Sequence, residues 1–209
     1  MKCTYYLLTV SFLLFYLTAF TQTGKPYAKA IKKHRKQYKK DFLEGERSPL
    51  EKKHLKYLRF FDANPNYKVE AKFTRTEGEK PIILNTSNGK EKKYIKYGEL
   101  TFDIDGQPQK LAVYQILKLM TIPMYKDYLF LPFKDLTNGH ETYGGGRYID
   151  FKMGAIKSNL VTLDFNKAYN PLCSFGTKDG YSCPIPPQEN HLAIPIKAGE
   201  KQFALNKDH

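Results

Sequence analysis

Among its 209 residues this chain has no tryptophan, five histidines and three cysteines, and those shortages narrow its chemistry. It holds no H-E-x-x-H pair, no EF-hand loop and no doubled cysteine pair, so neither a metal nor a cofactor is expected. After residue 20 there is no second long apolar run, and so no further candidate for a membrane span. Internal repeats, low-complexity segments and a convincing interdomain linker are missing too, which argues against a solenoid or tandem array. Acids are missing where bases are densest. Lys25, Lys29, Lys32, Lys33, Arg35, Lys36, Lys39 and Lys40 share a window that contains no Asp or Glu, within a chain of formal charge +13.

What is present begins with an export signal. Met1-Lys2 precedes a run from Cys3 to Phe20 without a charged residue. A short basic start, an apolar stretch and small residues near Thr18 and Ala19 form the pattern of a secretory leader. Residues 1–21 are therefore expected to be a signal peptide cleaved between Thr21 and Gln22, with an uncleaved anchor as the alternative. Cys3 precedes the apolar core and is not placed as a lipoprotein's modified cysteine. The expected compartment is the periplasm or the extracellular space, where nucleic acid is not an expected partner. Anionic envelope surfaces are the candidate partners of the basic window, against the plainer reading of a solvated helix face.

Two cysteines then remain. Cys173 and Cys183 flank a Gly-containing loop and read as a local disulfide in an oxidising compartment. A loop of that size is stabilised by roughly 2–3 kcal/mol in the chain-entropy model. Zinc is the alternative, without a matched second pair of ligands.

Periodicity sets the architecture. Tyr27, Ile31, His34, Tyr38 and Phe42 recur on one helical face, which predicts a basic amphipathic helix over 22–46 packed on the body of the protein. Ser48-Pro49-Leu50-Glu51 is a capping box that predicts a second, short helix burying Leu50, Leu55, Leu58 and Phe61. From Tyr67 the period becomes two. Strands are expected over 67–74, 81–86, 93–97, 99–104, 110–116, 128–132, 147–153 and 160–165, with hairpin turns at Ser87-Asn88-Gly89 and Asp105-Gly106. The fold class is mainly β: an antiparallel meander forming a barrel or barrel-like sandwich, with an N-terminal arm of two helices. Residues 47–209 are read as a single β-rich domain and the protein as a monomer. Pro171, Pro184, Pro186 and Pro187 predict an irregular, disulfide-bearing C-terminal loop.

Polar residues crowd the last third among tyrosines, glycines and prolines. Three motifs stand out: Phe133-Lys-Asp-Leu-Thr-Asn-Gly-His-Glu-Thr-Tyr-Gly-Gly-Gly-Arg-Tyr-Ile-Asp150, Leu163-Asp-Phe-Asn-Lys-Ala-Tyr-Asn-Pro171, and Pro186-Pro-Gln-Glu-Asn190. With Tyr181-Ser-Cys-Pro184 and Ile194-Pro-Ile-Lys-Ala-Gly-Glu200, they resemble the bacterial family called domain of unknown function 1684. Fainter likeness reaches back through Tyr114-Gln115 and Asp105-Gly106-Gln107 to Ser48-Pro49-Leu50, so the resemblance covers about residues 40–200. It implies no established activity. It does imply that the leader and basic helix are additions around a shared domain. It also implies that family members without a leader carry the two cysteines, which would give them a role beyond a disulfide. His140 and His191 occupy variable slots of the motifs and no histidine holds a fixed one, which disfavours a Ser-His-Asp or Cys-His relay.

The candidate pocket residues are Glu141, Tyr143, Arg147, Tyr148, Asn166, Tyr169, Asn170, Glu189 and Asn190, expected to line one polar hollow at a barrel mouth under the disulfide loop. Its ligand would be small and polar or anionic. The catalytic alternative is a carboxylate-dependent hydrolase drawing on Glu141, Asp150, Asp164 and Glu189. The third reading is a non-catalytic envelope interaction module. In it Arg147 forms a buried ion pair with Asp150 or Asp164, and the motif residues brace the fold. Gly144 to Gly146 precede a strand and not a helix, so they predict a bulge or close backbone approach and not a phosphate loop.

Overall fold

The computed structural model describes residues 4–45, 47–176 and 180–206, with side chains from Gly24 to Leu205 within those ranges. The expected leader, residues 1–21, lies outside the described side chains. Among the described residues no helix is long and apolar enough to cross a membrane.

Helix α1 (Thr4–Glu44) carries the predicted stripe onto the body of the protein. Ile31 and Phe42 are buried, Tyr27 donates a hydrogen bond to Asp164 (2.8 Å), and Tyr38 donates one to Glu200 (2.8 Å). The expected second helix is instead a six-residue 3-10 helix, Lys52–Tyr57. Leu50, Leu58 and Phe61 are nevertheless buried as expected. The helix stops because the chain is drawn out alongside the C-terminal segment: Phe60 bridges Glu200, Phe61 N–H donates to Gly199 O, and Lys201 N–H donates to Arg59 O. Helical residues could not make those main-chain bonds.

The strands are β1 (Lys68–Arg75), β2 (Ile82–Leu84), β3 (Lys92–Ile104), β4 (Gln107–Ile116), β5 (Tyr128–Phe133), β6 (Arg147–Lys152) and β7 (Leu160–Asp164), with a one-turn helix α2 (Leu117–Met120) after β4. All pair antiparallel, in the order β6-β5-β4-β3-β1-β7, with β2 on the edge of β3. The sheet curls into a half-barrel. Its end strands, β6 and β7, do not pair, and beyond β7 a single bridge links Tyr148 to Tyr169. At the β3–β4 turn Asp105 and Gly106 both take positive φ (52° and 76°), the two-residue hairpin geometry that Asp-Gly favours.

The two strands expected on either side of Gly98 are one strand with a register shift between Lys96 and Gly98. The shift has a large effect. A slip of one residue turns side chains to the opposite face of a sheet. Leu100 and Phe102 therefore point into the curl with Leu111, Val113, Leu129 and Leu131, whereas Tyr94 points outward with Tyr114, Phe130 and Tyr148. Residues 191–200 run extended with alternating burial and fill the curl with Leu192, Ile194, Ile196 and Ala198.

Candidate functional site

The outward face of β3, β4, β5 and β6 carries a row of rings. Tyr94 stacks on Phe130 (centroids 5.9 Å apart), Phe130 meets Tyr148 edge-on (4.8 Å), and Tyr148 meets Tyr169 edge-on (5.8 Å). These rings floor a hollow of about 710 Å³ beneath the disulfide loop.

The walls come from Ile116 to Leu119 on one side and from Pro171, Leu172, Ser182, Cys183 and Pro184 on the other. Cys173 and Cys183 form a disulfide with Cα atoms 6.2 Å apart, and the loop it closes lies against the sheet through several bonds. Tyr148 Oη donates to Pro184 O, Lys92 Nζ donates to Ser182 O, and Ser87 N–H donates to Cys183 O (2.9 Å).

The electrostatics of this hollow are one-sided. Lys92, Lys93 and Lys118 line it with Glu91 as the one acid, and none of the three lysines forms an ion pair among the described residues. Burial, and then the charge of Lys118, lowers the pKa of Lys92. At the base, the Tyr94 hydroxyl is buried without a hydrogen-bond partner, and burial raises its pKa. A buried polar atom left unpaired is costly, which makes it a candidate contact for a bound group.

Of the residues singled out from the sequence, Tyr148 and Tyr169 line this hollow. The others lie elsewhere. Arg147 is wholly buried and pairs with Asp135 (2.8 Å), not with Asp150 or Asp164, while it also donates to the carbonyls of Ile196, Ala198 and Glu200. Burial lowers its pKa, and Asp135 opposes that effect. Asn190 donates to Ala112 O and Pro132 O and accepts from Ala112 N–H. Asn166 ties Asn64 to Asp164, and Asn170 holds Glu200 and Lys201. Glu189 accepts from Tyr114 and Lys96 at the surface, and Glu141 pairs with Lys197 (3.3 Å). Tyr143 is half-buried beside Gly145. Gly146, at φ +90°, is the expected close approach: a Cβ there would meet Phe133 O and Pro186 Cγ at 2.7 Å.

A second cleft, about 420 Å³, lies on the other side of Tyr169 between the unpaired edges of β6 and β7. It brings together two of the four candidate carboxylates, Asp150 and Asp164, beneath His34 and Tyr38 of α1. Asp150 keeps an edge open to solvent, yet the protein packed around its carboxyl raises its pKa, against the hydroxyls of Tyr128 and Tyr169. Asp164 accepts from Tyr27 and from Asn166. Both carboxylates are thus engaged as anchors for tyrosines. Among the described residues no group of three or more His, Cys, Asp or Glu is placed to hold a metal.

The family model described as "Protein of unknown function (DUF1684)" matches residues 53–201. The chain belongs to this family. A solution NMR structure of an uncharacterized protein from gene locus rrnAC0354 of Haloarcula marismortui is similar to it, at 31% identity and a TM-score of 0.64. That likeness covers 86% of this chain and 96% of the other. No curated protein matches the chain. The family match takes in the ring floor and the disulfide loop, whereas α1 lies before it.

Lys92, Tyr94, Lys118 and Phe130 were not among the sequence candidates. The signal that could have found Tyr94 and Lys92 is Gly98, a glycine interrupting a period-two run, which marks a bulge and a change of face.

Proposed function

We propose that this is an exported protein that binds a small anionic ligand in the ring-floored hollow beneath the disulfide loop. The observation that carries this reading is the combination of three lysines without carboxylate partners and an unpaired Tyr94 hydroxyl around four aromatic rings. The rings offer flat apolar area and the ammonium groups offer charge, which together suit a planar or sugar-like body bearing an acidic group. Export is supported by the leader pattern of residues 1–21.

A thermal-shift panel of inorganic phosphate, nucleoside monophosphates, sugar phosphates and aromatic carboxylates tests the binding. A ligand at about 100 times its Kd stabilises by roughly 2.7 kcal/mol. At least one compound should raise the midpoint of the wild-type protein and lose that effect in a Lys92→Gln/Lys118→Gln variant. An equal shift in both proteins would remove the hollow from consideration. Mass measurement of protein recovered from the producing cell, which should begin at Gln22, tests the export half.

A further inference from the structure

The lysines of α1 occupy one side of the helix and its docked residues the other. At 100° per residue, Lys25, Lys29, Lys32, Lys33, Lys36, Lys39 and Lys40 fall within an arc of about 120°, and Tyr27, Ile31, His34, Tyr38 and Phe42 within about 80° on the opposite side. The second arc is already occupied. Ile31 and Phe42 are buried on the body of the protein, and Tyr27 and Tyr38 are tied to Asp164 and Glu200. The first arc is open: Lys25, Lys29, Lys32, Lys33 and Lys36 are exposed and none of them forms an ion pair among the described residues. Lys40 alone of the seven is paired, with Glu44 (3.1 Å).

We propose that this lysine face docks the protein on an anionic lipid bilayer. This goes beyond ligand binding in the hollow and does not depend on it. A row of like charges on one rigid side of a helix complements a plane of anionic headgroups, since many cations reach the plane together. Docking of the aromatic arc on the protein means that it is not free to enter the acyl region. The attachment is therefore electrostatic and yields to salt.

The test compares partition of the full chain onto vesicles of phosphatidylcholine alone and vesicles with about 30% phosphatidylglycerol, at about 50 mM and about 500 mM salt. The readout is the anionic-to-neutral ratio, which cancels any apolar insertion of residues 3–20 common to both vesicles. The ratio should exceed about 100 at low salt and collapse at high salt. Lys→Gln changes at positions 25, 29, 32, 33 and 36 should bring it close to unity while leaving the thermal midpoint unchanged. A ratio that survives those substitutions overturns the proposal. So does duplex DNA that displaces the wild-type protein from anionic vesicles at equal total charge, since it would make nucleic acid the preferred partner.

Discussion

Arg147 and Asp135 meet at 2.8 Å with both side chains withdrawn from solvent. The pair clamps the C-terminal segment onto the sheet, because Arg147 donates to the carbonyls of Ile196, Ala198 and Glu200 while Asp135 accepts from Ile196 N–H (3.1 Å). Removing one partner of a buried pair leaves the other charge uncompensated, at a cost of about 3–5 kcal/mol. Arg147→Ala should therefore lower the unfolding free energy by that amount in urea titrations, with Arg147→Lys recovering part of it. A stable Arg147→Ala protein would show that the clamp is dispensable.

Glu200 makes stability depend on pH in a definite direction. Burial raises its pKa from 4.5 to about 7, against hydrogen bonds from Asn170 and Tyr38 and the charge of Arg147. A raised folded-state pKa means that the folded protein holds the proton more tightly than the unfolded chain. The associated stability is complete below about 4.5 and is lost as pH rises through about 7. The shift corresponds to about 3 kcal/mol. Glu200 Oε1 also lacks a partner, and an amide nitrogen in its place carries no charge to desolvate. Glu200→Gln should thus be less sensitive to pH between about 4.5 and 8 and more stable than the wild type at the upper end. Parallel unfolding curves for the two proteins across that interval would contradict the assignment.

Much of the fold was legible because period-two alternation and Asp105-Gly106 act locally. The site was less so. The polar density of the last third was visible, but its main use here is to satisfy the main chain. The segments outside the strands have no ladder partners, and buried N–H and C=O groups must find others. Asn190, Asn166, Asn170 and Arg147 provide them. Sequence cannot distinguish that use from ligand contact, since both call for amides and a guanidinium near glycines and prolines. Lys92, Tyr94 and Lys118 are not legible for a different reason: the hollow exists only after β3, α2 and the disulfide loop come together.

The disulfide fixes one wall of that hollow, through Cys183 and its neighbour Pro184. Reducing it, or replacing both cysteines by alanine, should cost roughly 2–3 kcal/mol and should weaken any ligand found by the thermal-shift panel. Melting curves with and without reductant measure the first effect, and titration of the double variant measures the second. An unchanged affinity would place the ligand away from the loop.

Gly98 controls which face Tyr94 occupies, and that makes it the most direct test of how the site is built. The register shift between Lys96 and Gly98 separates the inward residues Leu100 and Phe102 from the outward Tyr94. A Cβ at Gly98 would lie 2.4 Å from Phe73 Cε2 and 2.5 Å from Thr74 O. The carbonyl belongs to the paired strand and has little room to move. Overpacking of this kind typically costs about 1–3 kcal/mol, so Gly98→Ala should lower the thermal midpoint. If the chain relieves the clash by shifting the bulge, Tyr94 leaves the ring row, and the near-ultraviolet tyrosine signal and ligand affinity should fall together. A variant as stable as the wild type with both properties intact would mean that the bulge does not set the face of Tyr94.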